Sequence, residues 1–152
     1  MKTFLSISLL SICLAALPQE EKLPAKVESA FKIKYPGLKV DGWGIVDGLY
    51  SIDFSNKGTT YSAVINEDGI WMETSEIISD FEVPAAVGDY LKKNYPGGSI
   101  SYSEKVEKND RTYFFRVNFY HKDLSYILES DLNGKNIRVR EVEEEAESVP
   151  GQ

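Results

Sequence analysis

The chain has 152 residues, 42% of them hydrophobic and 27% charged, the balance of a soluble globular protein with room for one medium domain or two small ones. Its formal charge of −7 argues against nucleic acid as a partner, because phosphate contacts need clustered Lys and Arg that release counterions. The same shortage of cations disfavours an anionic membrane surface.

The first seventeen residues, "MKTFLSISLLSICLAAL", carry one Lys at position 2 and then an apolar run relieved only by Ser6, Ser8 and Ser11. This pattern reads as a signal peptide over residues 1–17, since the run is shorter than the ~20 residues that a bilayer-crossing helix needs. The expectation is an exported protein, periplasmic or extracellular, with no stable membrane insertion after cleavage. Cys13, the only cysteine, falls inside this leader, so the processed chain is held by its core and not by disulfides.

Two later stretches match at a spacing of sixty: "LPAKVESAFKIKYPG" from Leu23 and "VPAAVGDYLKKNYPG" from Val83. Each predicts a short helix. Proline suits its start, where a missing N–H loses no hydrogen bond. Val27, Ala30 and Phe31 form one apolar stripe, and Val87, Tyr90 and Leu91 form its counterpart. Pro36 and Pro96 push the preceding tyrosine out of helical geometry, and Gly37 and Gly97 supply the positive φ that reverses the chain.

After each helix the apolar period changes to two, which predicts strands. "LKVDGWGIV", "LYSIDFS", "TTYSAVIN" and "IWMETSEII" follow the first, divided at Asp47-Gly48, at 56–58 and at Asp68-Gly69. "SISYSEKVEK", "TYFFRVNFY", "LSYILESD" and "NIRVREVE" follow the second, divided at 109–111, at 121–123 and at Asn133-Gly134. Asp-Gly and Asn-Gly favour tight hairpins in which both turn residues have positive φ. The predicted fold class is α+β, a tandem repeat of a helix plus a four-stranded antiparallel sheet, with copies at 23–79 and 83–142 and an acidic tail at 143–152. Units of about sixty residues bury too little surface to stand alone, so the copies are expected to share an interface or a continuous sheet.

On the predicted strands, Tyr50, Ile52 and Phe54, with Tyr113, Phe115, Val117 and Phe119, form the series that faces the helices. The opposite series includes Phe114, Arg116 and Tyr120, with Tyr102 and Ile127 nearby, while Trp43 and Trp71 are expected on outer strands. Aromatics with an Arg on a solvent-facing sheet are what protein-binding surfaces use as anchors, so Trp43, Trp71, Tyr102, Phe114, Arg116 and Tyr120 are the candidate partner-binding residues. The alternative is that they pack a sheet face by cross-strand pairing.

Chemistry-bearing patterns are scarce. His121 is the only histidine, and no His-Glu-x-x-His, Gly-x-Ser-x-Gly or Gly-rich phosphate loop occurs. "ESDLNG" at 129–134 imitates the start of a calcium loop but lies between strands, where a hairpin turn is expected. No catalytic residue, metal ligand or cofactor is predicted. A hydrolase working through a carboxylate pair such as Asp41 and Asp53 finds no spacing that demands it.

The paired Tyr-Pro-Gly stretches, followed by "YSAVINEDGIWMETSEI" with Trp71 after Asp68-Gly69, resemble the PepSY-like family of exported bacterial proteins, which is itself described as similar to β-lactamase inhibitor protein. The resemblance spans roughly residues 23–142. It implies a tandem α/β repeat whose strands form a concave sheet. It also implies a protein partner, since PepSY relatives restrain peptidases from within propeptides and the lactamase inhibitor grips its target with aromatics on the sheet. The expected function is therefore a non-enzymatic binding module that engages or inhibits a protein of the cell envelope, such as a peptidase. The alternative is a carrier or sensor of a small ligand: a lipid, a peptide or a cell-wall fragment.

Overall fold

The computed structural model describes residues 22–142, so the leader at 1–17 and the acidic tail at 143–152 lie outside the described residues. Helices α1 (Ala25–Lys34) and α2 (Ala85–Asn94) begin one residue after Pro24 and Pro84. Each proline thus flanks its helix instead of opening it. The Pro24 carbonyl accepts the Glu28 N–H at 2.9 Å, and the Pro84 carbonyl accepts that of Val87 at 2.9 Å. Both helices stop in the same way. Tyr35 and Tyr95 swing out to φ −125° and −130°, and Gly37 and Gly97 take φ +82° and +81°. The N–H groups of Leu38 and Gly98 then bond back to the tyrosine carbonyls at 3.2 and 2.9 Å.

Four strands follow each helix: β1 (Gly42–Val46), β2 (Leu49–Asn56), β3 (Thr59–Ile65) and β4 (Trp71–Ile78), then β5 (Ser99–Lys108), β6 (Tyr113–His121), β7 (Leu124–Asp131) and β8 (Arg138–Val142). They do not form two separate sheets. β4 and β5 pair from Glu73–Lys108 to Ile78–Ser103, which joins all eight into one antiparallel sheet whose spatial order is the chain order. The seam strands have eight and ten residues, whereas the edge strands β1 and β8 have five each. A 3₁₀ turn at Asp80–Glu82, closed by a Ser79/Glu82 capping box, links the seam to α2. Fully buried Ser103 donates to its Asp80 at 2.7 Å and so holds that turn against β5.

Both helices cover the same face of the sheet. Val27 and Phe31 pack with Ile52, Phe54, Ala63 and Ile65, all at most 2% exposed, and Val87 and Leu91 pack with Val117, Phe119 and Leu128. The Phe31 and Phe54 rings meet edge-on at 5.2 Å, and Tyr95 meets Phe119 at 4.9 Å. Burying each such aromatic contributes roughly 1.5–3 kcal/mol, which makes these two clusters the main source of stability.

Five of the turns are of two kinds, one of which departs from expectation, while at 109–111 Arg111 alone takes positive φ. Asp47-Gly48, Lys57-Gly58 and Lys122-Asp123 have both φ values positive, as tight hairpins require. At Asp68-Gly69 and Asn133-Gly134 only the glycine is positive, because a side chain builds a wider loop in each. Asn66 Oδ1 accepts the N–H of Asp68 and Ile70, and Asp131 Oδ1 accepts that of Asn133 and Lys135. These loops press against the helix starts. A Cβ on Gly69 would stand 2.9 Å from the Lys26 carbonyl oxygen, and one on Gly134 would stand 2.9 Å from Pro84 Cβ, so glycine is required by space as well as by φ. "ESDLNG" is accordingly a turn, with the Asp131 carboxylate engaged by its own loop and by Asn136 Nδ2 at 2.8 Å.

Candidate functional site

Strand register decides which side chains share the helix-free face. Across β5, β6 and β7 it aligns Val106–Phe114–Asp131, Glu104–Arg116–Glu129, Tyr102–Asn118–Ile127 and Ser99–Tyr120–Ser125. Tyr102, Phe114, Arg116 and Tyr120 are therefore neighbours on this face. Tyr102 reaches it through a bulge. The register slips between Ile100 and Tyr102, so Ile100 lies opposite core residue Phe119 while Tyr102, two residues on, points to the other side.

The two tryptophans lie on the helix side, apart from these four. Trp43 stands opposite buried Ile52, and its ring lies 6.1 Å from that of Tyr50. Trp71 follows from a second slip, between Val64 and Ile65 against β4. It pairs with core residue Ile65, whereas Glu73 pairs with outward Val64. Its indole N–H donates to Thr74 Oγ1 at 2.8 Å, Thr74 also bonds the Tyr35 hydroxyl, and Lys34 Nζ sits 3.3 Å from the ring centroid. In the joined sheet β4 is an interior strand, so Trp71 is not at an edge.

Arg116 is the centre of the open face. Its NH1 and NH2 donate to the two Glu73 oxygens at 2.9 and 3.3 Å, while Nε and NH2 share Glu129 Oε1 at 3.2 Å each. Glu104 Oε2 lies 3.9 Å from NH1 and accepts from Asn118 Nδ2 at 3.5 Å. Burial by itself would lower the guanidinium pKa, but the bond to Glu73 and the charges of Glu73, Glu104 and Glu129 outweigh it and raise the pKa above its ordinary value. Arg116 is a permanent cation held by a bidentate fork. Three carboxylates around one cation leave the cluster with a net negative charge.

Around this cluster the face forms a small core of its own. Val106 is fully buried and Ser75 and Glu104 nearly so, although no helix covers them. Phe114 takes part, with Lys108 Nζ 4.9 Å and Arg116 Cζ 5.3 Å from its ring centroid. Beyond it the surface is apolar and open: Tyr102 is 46% exposed, Tyr120 53% and Ile77, opposite Glu104, 40%. Burial first, and then the Glu104 charge, pushes the Tyr102 hydroxyl pKa up, so it remains a hydrogen-bond donor at neutral pH.

Glu73, Glu104, Glu129 and Ile77 were not singled out from the sequence, because their roles depend on cross-strand register. His121 lies elsewhere, edge-on to Tyr95 at 5.5 Å. Among the described residues no group of three or more His, Cys, Asp or Glu is placed to hold a metal ion, and no helix is long and apolar enough to cross a membrane. The open face offers apolar contact, hydrogen-bond donors and fixed charge, which are the means of recognition.

An eight-stranded antiparallel sheet with two helices on one face and an aromatic, charged opposite face defines a β-lactamase-inhibitor-like fold. Residues 48–135, more than half of the chain, match the family described as "Putative beta-lactamase-inhibitor-like, PepSY-like", and the protein belongs to that family. Solved structures agree on the fold. A DUF2874 family protein from Bacteroides ovatus is 22% identical, with a TM-score of 0.67 over 85% of this chain and 94% of that one. A protein from Bacteroides eggerthii described as "putative periplasmic" is 19% identical, with a TM-score of 0.65 over 80% and 91%. A BLIP-like protein from Bacteroides fragilis is 17% identical, with a TM-score of 0.61 over 81% and 89%. Identities this low speak to the fold alone. No match was found among curated proteins.

Proposed function

We propose that this protein is an exported, non-enzymatic binding module that engages a protein of the cell envelope, a peptidase or another enzyme, through the helix-free face of its sheet. The observation that carries this reading is the exposed set Tyr102, Tyr120 and Ile77, arranged beside the Arg116 cluster. Anchors of this kind are effective because they lose little conformational freedom on binding. Arg116 is already tied by its fork, and Phe114 is already stacked beneath two cations.

Export is supported by the leader-like residues 1–17 and by the likeness to a protein described as periplasmic. Duplication of one unit, at 23–79 and 83–142, is supported by the matching helix stops and by the matching glycine contacts at Gly69 and Gly134. The direct test is affinity capture from envelope extract with wild type and a Tyr102→Ala/Tyr120→Ala variant side by side. A protein held by wild type and released by the variant is the expected result. Identical profiles from the two baits would remove the open face as the binding surface.

A further inference from the structure

On the helix side, at the β1 edge, an open groove of about 640 Å³ runs between α1 and the segment leading into β1. Its floor is apolar, formed by Phe31, Leu38, Val40 and Trp43. Lys22, Lys32 and Lys39 ring it, and Glu28 is the one acidic side chain of the lining. In a chain with a formal charge of −7, three lysines around apolar side chains reverse the overall balance. Glu28 lies among them. It accepts from Lys32 Nζ at 2.5 Å, and that bond, with the charges of Lys32 and Lys22, keeps its carboxyl pKa below the ordinary range.

The second half shows that this charge is not a requirement of the fold. A groove of about 370 Å³ lies beside α2, lined in part by Gly88, Leu91, Lys92, Gly98, Ser99 and Ile100. These positions stand sixty residues after Glu28, Phe31, Lys32, Leu38, Lys39 and Val40. Lys92 is the only cation there, Ser99 stands where Lys39 would, and no tryptophan contributes. The cationic rim and the indole are therefore particular to the first groove.

We infer that the groove between α1 and β1 binds a free medium-chain fatty acid, with its alkyl chain against Phe31, Leu38, Val40 and Trp43 and its carboxylate on the lysines of the rim. The volume lies within the ~300–1,000 Å³ typical of small-molecule sites, which are mostly apolar with a few placed polar groups. Lys32 is already paired with Glu28, so the carboxylate of the ligand falls to Lys22 and Lys39. A peptide fits less well, because its N–H groups need acceptors and the lining side chains supply one carboxylate. This site goes beyond the protein-binding reading and lies on the opposite face of the sheet, so either can fail without the other.

The test is a titration of the purified protein with dodecanoate below its micelle concentration, read by calorimetry and by tryptophan fluorescence. Dodecyl maltoside, dodecyltrimethylammonium and butyrate serve as comparison ligands. Dodecanoate is expected to shift the emission, and Trp43→Phe to abolish that shift. Lys39→Glu and Lys22→Glu, exposed changes checked by circular dichroism, are each expected to weaken binding about tenfold, while Lys92→Glu leaves it unchanged. The proposal is overturned if dodecanoate gives no heat or shift, if the cationic or neutral chain binds as well, or if the rim variants bind like wild type.

Discussion

The helix-free face differs between the two halves of the sheet. In the first, Gly42, Gly44, Ser51, Ser62 and Ser75 lie on it beside Val64, Glu73 and Ile77, and Ser51 and Ser62 satisfy one another across β2 and β3 at 2.9 Å. In the second, Tyr102, Phe114, Arg116 and Tyr120 occupy it. The order of elements is the same, helix followed by four strands, so the difference comes from side-chain volume and charge together with the bulge that turns Tyr102 to this face. Glycines and small hydroxyls keep much of one half low, whereas large side chains in the other desolvate one another and stand proud of the sheet. The lesson is that two halves with the same order of elements can carry a lopsided surface, with the large side chains gathered on β5 and β6 and joined by Glu73 and Ile77 from β4.

The strongest way to break this contrast is Arg116→Ala. It leaves Glu73, Glu104 and Glu129 facing one another, with Glu104 only 8% exposed, and is expected to cost about 3–5 kcal/mol in urea denaturation. Once a partner is in hand, Tyr102→Ala or Tyr120→Ala is expected to cost about 2 kcal/mol of affinity, roughly 30-fold in Kd, with little change in stability. Gly69→Ala and Gly134→Ala test whether the halves are mechanically alike. Each is expected to lose at least about 1–2 kcal/mol by thermal unfolding, because both combine positive φ with a contact of 2.9 Å. On the quiet half, Ser51→Ala removes one hydrogen bond, with an expected loss of about 1 kcal/mol or less and no change in binding.

Acid provides the finest distinction. Asp131 and Asn66 play the same part in the turns at Asn133-Gly134 and Asp68-Gly69, but only Asp131 titrates. The N–H of Lys135, and next that of Asn133, holds the folded Asp131 carboxyl pKa below its ordinary value. A depressed pKa contributes stability that is fully present above the unfolded value of about 3.9 and is lost as pH falls through the folded value. The thermal midpoint is expected to drop below about pH 4, Asp131→Asn to blunt that drop, and Asn66→Asp to deepen it.

Much of the framework is legible in the sequence. Pro24, Pro84 and the Tyr-Pro-Gly pairs fixed the helices, because proline and glycine constrain φ without regard to distant contacts. The strand segments matched to within a few residues for a similar reason, since alternation is local. What escaped was the sidedness of Trp43 and Trp71, and the reason for that of Tyr102. A strict period of two would put Trp71 with Glu73 and Tyr102 with Ile100, yet the bulges at the starts of β4 and β5 reverse both relations. Nothing in "GIWMETS" or "GSISYS" announces an extra residue, which is settled by pairing with a neighbouring strand. The carboxylates around Arg116 escaped for the same cause, since Glu73, Glu104 and Glu129 are distant in sequence and meet only through register.

The lengths of the strands bear on how the molecule behaves in a crowded compartment. A sheet whose strands pair in chain order, with β4 joined to β5, has no geometric reason to stop at eight strands, and a ninth could arrive from another molecule. The abbreviated margins supply the brake. At β1 five residues give an incoming strand few amide partners, and Arg138, Arg140 and Glu141 charge the β8 border. Margins of this sort oppose further growth of the sheet while leaving a long, regular middle.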